Sequence, residues 1–230
     1  MAVRLAESLI EMDGFDASDV LARYVRWWKE GSFDTGPVAD RALEVIAAGS
    51  TVADATAQVH SETGGRTAGC NPAHRTPPLA MCAGIADLDL EKCAATEAAL
   101  THADPIAGRM ASIGVLLCRQ LIRGITWNDA FSDAKNKANM AITKPNSPGG
   151  FAPDVLHAAL YFVDTSTTFA DALHRSMTFA GAANYCPILV GAIAGARWGR
   201  SAIPVEDLGH VDVMPRVEAA AMKLANSWEK

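Results

Sequence analysis

At 230 residues, half of them apolar and 20% charged, the chain has the make-up of a globular protein with length enough to bury a sizeable core. A net charge of −6, with no Lys/Arg block beside the aromatics, leaves no electrostatic footprint for nucleic acid. Five scattered cysteines without a C-x-x-C pair read as free thiols of a cytoplasmic protein, and no long apolar run near the N-terminus marks a secretory signal.

In chain order, Asp16 or Ser18 can cap a helix through Lys29, with Val20, Leu21, Tyr24, Val25 and Trp28 as its apolar stripe. Pro37 opens the next helix and Gly49 ends it. Thr51 opens another, which runs to Thr63 and stops at Gly64 and Gly65. Further helices are expected around 78–86, 89–102, 105–123, 126–140, 153–163, 167–180, 187–198 and 212–227. Pro105, Pro153 and Pro187 fit first turns, where the missing amide hydrogen costs nothing. Loops are expected at 30–37, 64–77, 141–152 and 199–211, and no alternating β-branched run argues for a sheet. The expectation is an all-α fold forming one domain over residues 1–230. The uncharged stretch from Ser176 to Ala196 is long enough to span a bilayer, but Asn184, Pro187 and three glycines interrupt it. A buried helix over 187–198 is the better reading, with Gly191 and Gly195 admitting a close neighbour, so no membrane partner is expected.

The loop from Gly64 to Asn71 is rich in glycine and bracketed by Arg66 and Arg75. Glycines let backbone amides converge on an anion, and arginine grips phosphate in a fork. A helix–helix turn with solvent-facing arginines gives the same pattern. Asp104 suits the cap of the helix at 105, and Glu62 reads as a solvated helix-end carboxylate or a general acid–base. His60, His157, His174 and His210 have no partner by spacing. No P-loop, Rossmann fingerprint, H-E-x-x-H or G-x-S-x-G occurs.

Residues 181–199, GAANYCPILVGAIAGARWG, resemble the C-terminal signature of the ADP-ribosylglycohydrolase family, G-D-x-D-T followed by G-A-(I/L)-A-G-A. The stretch 3–30 with Phe33, Asp34, Thr35 and Gly36 resembles the family's LAESL…RYVRWW…G-x-F-D-T-G region. Residues 60–79 resemble its glycine-rich active-site loop, and Thr101, His102, Asp104 and Pro105 match S/T-H-x-D-P. The motifs occur in the family's order across about residues 3–200. The resemblance implies a compact multi-helix orthogonal bundle and hydrolytic release of ADP-ribose at a binuclear metal site. At the metal-holding positions, however, stand Ala182, Asn184 and Tyr185, which are poor ligands beside carboxylates. The family's other metal motif, D-D-T-x-M, precedes the helix with which this chain begins. Apolar faces that such a leading segment would cover predict a homodimer.

By resemblance, Gly69, Asn71, Arg66 and Arg75 of the glycine loop, with Asp34 and Thr35 of the F-D-T-G turn, line a substrate cleft opposite 182–186. Cys70, His74 and Cys186 then share the former metal site, and three outcomes stay open. Cys186 or Cys70 is a nucleophile activated by His74, with Asn184 and Tyr185 donating hydrogen bonds to developing charge. Alternatively the two thiolates and the imidazole hold zinc, or the thiols are inert buried groups. The function expected is a hydrolase that splits a glycosidic or other C–N bond in a small polar or nucleotide-like substrate, with no metal or other cofactor. The alternatives are a non-catalytic binder of ADP-ribose, a nucleotide or an ADP-ribosylated partner, and a structural subunit.

Overall fold

Short polar side chains and prolines set where the helices start, as the computed structural model shows for residues 1–32, 35–209 and 211–229. Helix α1 (Ala2–Met12) ends at Asp13, whose left-handed φ of 49° turns the chain. Helix α2 (Ala17–Lys29) is capped by Asp16, which accepts from the Ser18 and Asp19 amides at 2.8 Å. Pro37 starts α3 (Pro37–Ala47), and Thr51 caps α4 (Val52–Glu62). Two short helices follow, α5 (Asn71–Arg75) and α6 (Pro78–Met81), then α7 (Asp87–Ala99). Asp104 caps α8 (Pro105–Ile122) by accepting from the Ile106 amide at 2.9 Å, as its position before Pro105 predicts. Thr126 caps α9 (Trp127–Ala138), and Thr168 caps α11 (Phe169–Ala180), with α10 (Ala152–Asp164) between them. The chain closes with α12 (Tyr185–Trp198), α13 (Val205–Leu208) and α14 (Met214–Asn226).

Among the described residues no strand forms, so the all-α bundle expected from the sequence is what folds. Helix α8 is its axle and packs against α5, α6, α7, α9, α10 and α12. It is buried on nearly every side, through Met110, Ile113, Val115 and Leu117 among others. Each such side chain taken out of water contributes roughly 1.5–3 kcal/mol. Close helix approach is achieved on α8 itself: a methyl group on Gly108 would stand 3.4 Å from the Ala95 Cα. The glycines expected to serve this purpose, Gly191 and Gly195, do not, since added methyl groups there meet nothing within 4 Å.

Several boundaries differ from the sequence expectation; the loop 199–211, for one, contains α13, which starts after Pro204. The loop 64–77 contains α5, because Pro72 fits its first turn. The helix expected over 78–86 stops at Met81, where Cys82 leaves in an extended conformation. The carbonyls around this helix end are also bonded by the buried Arg119, which donates to Leu79 O, Cys82 O and Ile85 O at 3.3, 2.7 and 3.3 Å. Helix α12 starts at Tyr185, two residues early, and Pro187 still lies in the first turn. No helix among the described residues is long and apolar enough to cross a membrane.

Candidate functional site

A cleft of about 680 Å³ opens between the start of α3, helix α5 and the segment leading into α12. Thr35, Gly69, Cys70, Asn71, His74, Arg75, Asn184 and Tyr185 all reach its lining, so most residues singled out from the sequence come together. Trp27 and His102 join them.

The walls are pinned by backbone and side-chain contacts. Gly69 and Phe151 form an antiparallel bridge, with the Cys70 amide donating to Gly150 O and the Ala152 amide donating to Ala68 O, both at 3.0 Å. Asn71 Nδ2 donates to Thr35 O at 3.2 Å and ties the glycine loop to the turn before α3. Gly36 is required there: its φ is 77°, and a methyl group on it would lie 2.6 Å from the Asn71 amide nitrogen. Opposite, the Tyr185 ring packs over Gly150, where a methyl group would approach to 3.2 Å.

The glycine loop does not form the anion nest its composition suggests. The Gly64, Gly65 and Cys70 amides are spent on Ser61 O, His60 O and Gly150 O at 3.0, 2.7 and 3.0 Å. Arg66 is exposed and outside the lining, with its Nε donating to Thr63 O at 3.1 Å. Asp34 lies outside the described residues, as do Phe33 and His210. Glu62 is a solvated carboxylate paired with Arg41 at 2.9 Å.

Arg75 turns inward, with 3% of its surface exposed. Its Nε donates to Glu97 Oε1 at 2.6 Å, and its Nη2 donates to Thr101 Oγ1 at 2.9 Å and Glu97 O at 3.3 Å. Tyr24 donates its hydroxyl proton to the same Glu97 oxygen at 2.6 Å. Burial opposes the Arg75 charge, but Glu97 and Tyr24 outweigh it and raise its pKa. Thr101 Oγ1 in turn meets His102 Nδ1 at 2.8 Å. Burial, helped by the Arg75 charge, pushes the His102 pKa down to about 3, so the ring is neutral at ordinary pH. The far nitrogen of that ring, Nε2, is buried without a partner, and so is Arg75 Nη1. A methyl group on Gly69 would stand 3.3 Å from His102 Nε2. Glu97 and Tyr24 escape sequence reasoning: Glu97 sits in an alanine-rich helix like any solvated carboxylate, and Tyr24 reads as part of an apolar stripe.

The two cysteines sit in apolar surroundings. Cys70 is 2% exposed, and burial pushes its thiol up to about 12. Cys186 lies behind the cleft wall with its Sγ 3.8 Å from Ser176 O, and burial pushes it up to about 11. Both are therefore protonated thiols at neutral pH.

The segment 182–185 offers no carboxylate to a divalent metal. Ala182 offers no ligand atom, Asn184 is the left-handed N-cap of α12 at φ 59°, and the Tyr185 ring is occupied with Gly150. Among the described residues no three His, Cys, Asp or Glu side chains converge as metal ligands.

The comparisons with known proteins agree with this architecture. A family model described as ADP-ribosylglycohydrolase matches residues 1–230. The chain is similar to the ADP-ribosyl-dinitrogen reductase glycohydrolase of Rhodospirillum rubrum, with 22% identity over 223 residues, 93% of this chain and 72% of that protein. It is also similar to a solved structure described as an ADP-ribosylglycohydrolase-related protein complex. That match has a TM-score of 0.80 and 28% identity, and covers 98% of this chain and 78% of the other.

Proposed function

The chain belongs to the ADP-ribosylglycohydrolase family of hydrolases, and we propose that its cleft binds an ADP-ribose-like ligand without the metal site to which that family's D-x-D-T segment contributes. The observation that carries this reading is a pair of buried nitrogens without a partner, the donor Arg75 Nη1 and His102 Nε2, in a lining that has no carboxylate among its described residues. A buried donor without an acceptor costs about 1–3 kcal/mol, and an oxygen-rich ligand recovers it. The cleft volume of about 680 Å³ suits a small molecule. Asn71, Asn184, Tyr185 and His74 supply further polar contacts around it.

Binding rather than turnover is the reading the thiols support. The nucleophile expected from the sequence is Cys70 or Cys186, and burial keeps both protonated. Trp27, the one tryptophan in the lining, offers an aromatic face to a ring of the ligand.

Three further expectations are retained as parts of the proposal. One core cluster drawing side chains from α1 to α14 supports a single domain. Five free cysteines support a cytoplasmic location. Exposed Val213, Val217 and Met222 on and beside α14 support a homodimer, which light scattering at micromolar concentration checks.

The test of the ligand is equilibrium dialysis of labelled ADP-ribose against chelator-treated protein, with His102→Ala beside it. Saturable one-to-one binding that the variant loses agrees with the proposal. Equal retention by both proteins places the ligand elsewhere and refutes it.

A further inference from the structure

We infer that a buried chain of hydrogen bonds through Glu97, Arg75 and Thr101 decides which ring nitrogen of His102 carries its proton, and so turns that histidine into a fixed donor in the cleft wall beside Gly69. The inference rests on the ligand reading above and assigns positioning roles to residues that the cleft chemistry alone does not need.

The chain of roles starts from the group that has no choice. A guanidinium only donates, so every Arg75 contact delivers a proton to its partner. Glu97 Oε1 receives one from Arg75 Nε and one from the Tyr24 hydroxyl, each at 2.6 Å. Thr101 Oγ1 receives one from Arg75 Nη2 at 2.9 Å. That fixes Thr101 as an acceptor toward the arginine and leaves its own hydroxyl proton to place.

Thr101 is fully buried, so this proton must find an acceptor inside the protein. Among the described residues the acceptor that its hydroxyl meets is His102 Nδ1, at 2.8 Å. If Nδ1 carried a hydrogen, two donors would point at Thr101, and the hydroxyl proton would be left without an acceptor. Nδ1 is therefore bare. A neutral imidazole has one N–H, so the proton resides on Nε2.

The consequence is directional. Nε2 is the buried nitrogen without a protein partner, and it lies beside Gly69 in the cleft lining. As Nε2–H it donates to an oxygen of phosphate, ribose hydroxyl or carbonyl type. The opposite tautomer would present a lone pair, which repels a phosphate or carbonyl oxygen and can only accept from a hydroxyl. Glu97 acts at two removes, by holding Arg75 where its Nη2 reaches Thr101.

Nitrogen-15 NMR of the histidine rings in the full chain, free and with ADP-ribose, tests the relay. The account predicts the Nε2–H tautomer for His102 in the free protein. Thr101→Val deletes the hydroxyl at constant shape; it should admit the Nδ1–H form and weaken ADP-ribose binding about tenfold, the equivalent of one charge-assisted hydrogen bond. Thr101→Ser should restore both the tautomer and the affinity. An Nδ1–H tautomer in the wild type overturns the relay, as does an Nε2–H tautomer that persists in Thr101→Val. The tautomer is read without ligand, so it decides the relay even where ADP-ribose fails to bind. That failure would instead overturn the ligand reading.

Discussion

His102 Nε2 lies directly beside Gly69, so close that a methyl group added at this glycine would stand 3.3 Å from the nitrogen. The ring cannot yield easily, because its other nitrogen is bonded to the buried Thr101. The backbone at Gly69 is not left-handed, so alanine is conformationally acceptable there. Gly69→Ala is therefore expected to cost about 1–3 kcal/mol of stability by overpacking against the ring, and to lower ADP-ribose affinity at least about tenfold, roughly 1.4 kcal/mol. Calorimetry beside a melting curve checks this. A variant that binds as tightly as the wild type would show that the ligand does not approach His102.

The Arg75–Glu97 pair makes an asymmetric prediction for stability. Both side chains are buried, so Glu97→Ala strands a guanidinium in the interior at a cost of about 3–5 kcal/mol. Tyr24→Phe removes only one hydrogen bond to the carboxylate and should cost about 1.5–3 kcal/mol. Urea unfolding of the two variants should show the first clearly less stable than the second. Equal losses would mean that the ion pair is not the anchor it looks to be.

Much of this molecule is legible in its sequence, and the rest is hidden for identifiable reasons. Asp16, Thr51 and Asp104 announce their helices because a cap is a contact of two or three residues' reach. The two cleft walls, 69–75 and 182–185, are likewise visible as motifs. What local pattern cannot show is where a side chain turns. Arg75 looks like a two-pronged phosphate fork, but Glu97, 22 residues away on α7, and Thr101 take its Nε and Nη2, which leaves Nη1 alone without a protein partner. The glycine loop looks like an anion nest until Gly150 and His60 take its amides. Gly191 and Gly195 look like a packing groove, but the close approach is made at Gly108 on α8.

Acid should weaken the fold through His102. Its folded pKa is depressed to about 3 from an ordinary 6.5, so the unfolded chain binds the extra proton first as pH falls. This group's contribution is complete above about pH 6.5 and is lost progressively toward pH 3. His102→Gln cannot titrate and should flatten that part of the stability–pH curve. An unchanged slope between pH 6 and 4 in the variant would contradict the assignment.

The thiols behave in the opposite sense. Burial raises Cys70 to about 12 and Cys186 to about 11, so the folded protein holds these protons longer than the unfolded chain does. Their contribution is complete below the ordinary thiol value of 9.0 and disappears as pH climbs through 11 to 12. At pH 7.5 both should alkylate far more slowly than a free thiol, and Cys70→Ala should keep ADP-ribose binding within about threefold. Rapid alkylation of Cys70 below pH 7, blocked by ligand, would instead restore the nucleophile expected from the sequence.

The central claim is that the cleft holds its ligand with Arg75, His102 and its neighbours, and without divalent metal. Isothermal calorimetry of ADP-ribose with chelator-treated protein, repeated after adding back magnesium or manganese, tests it most directly. The account predicts saturable one-to-one binding in chelator, with an affinity that either metal leaves unchanged. Binding that appears only after metal is restored would contradict it, and would mean that ligands other than those at 182–185 complete a metal site.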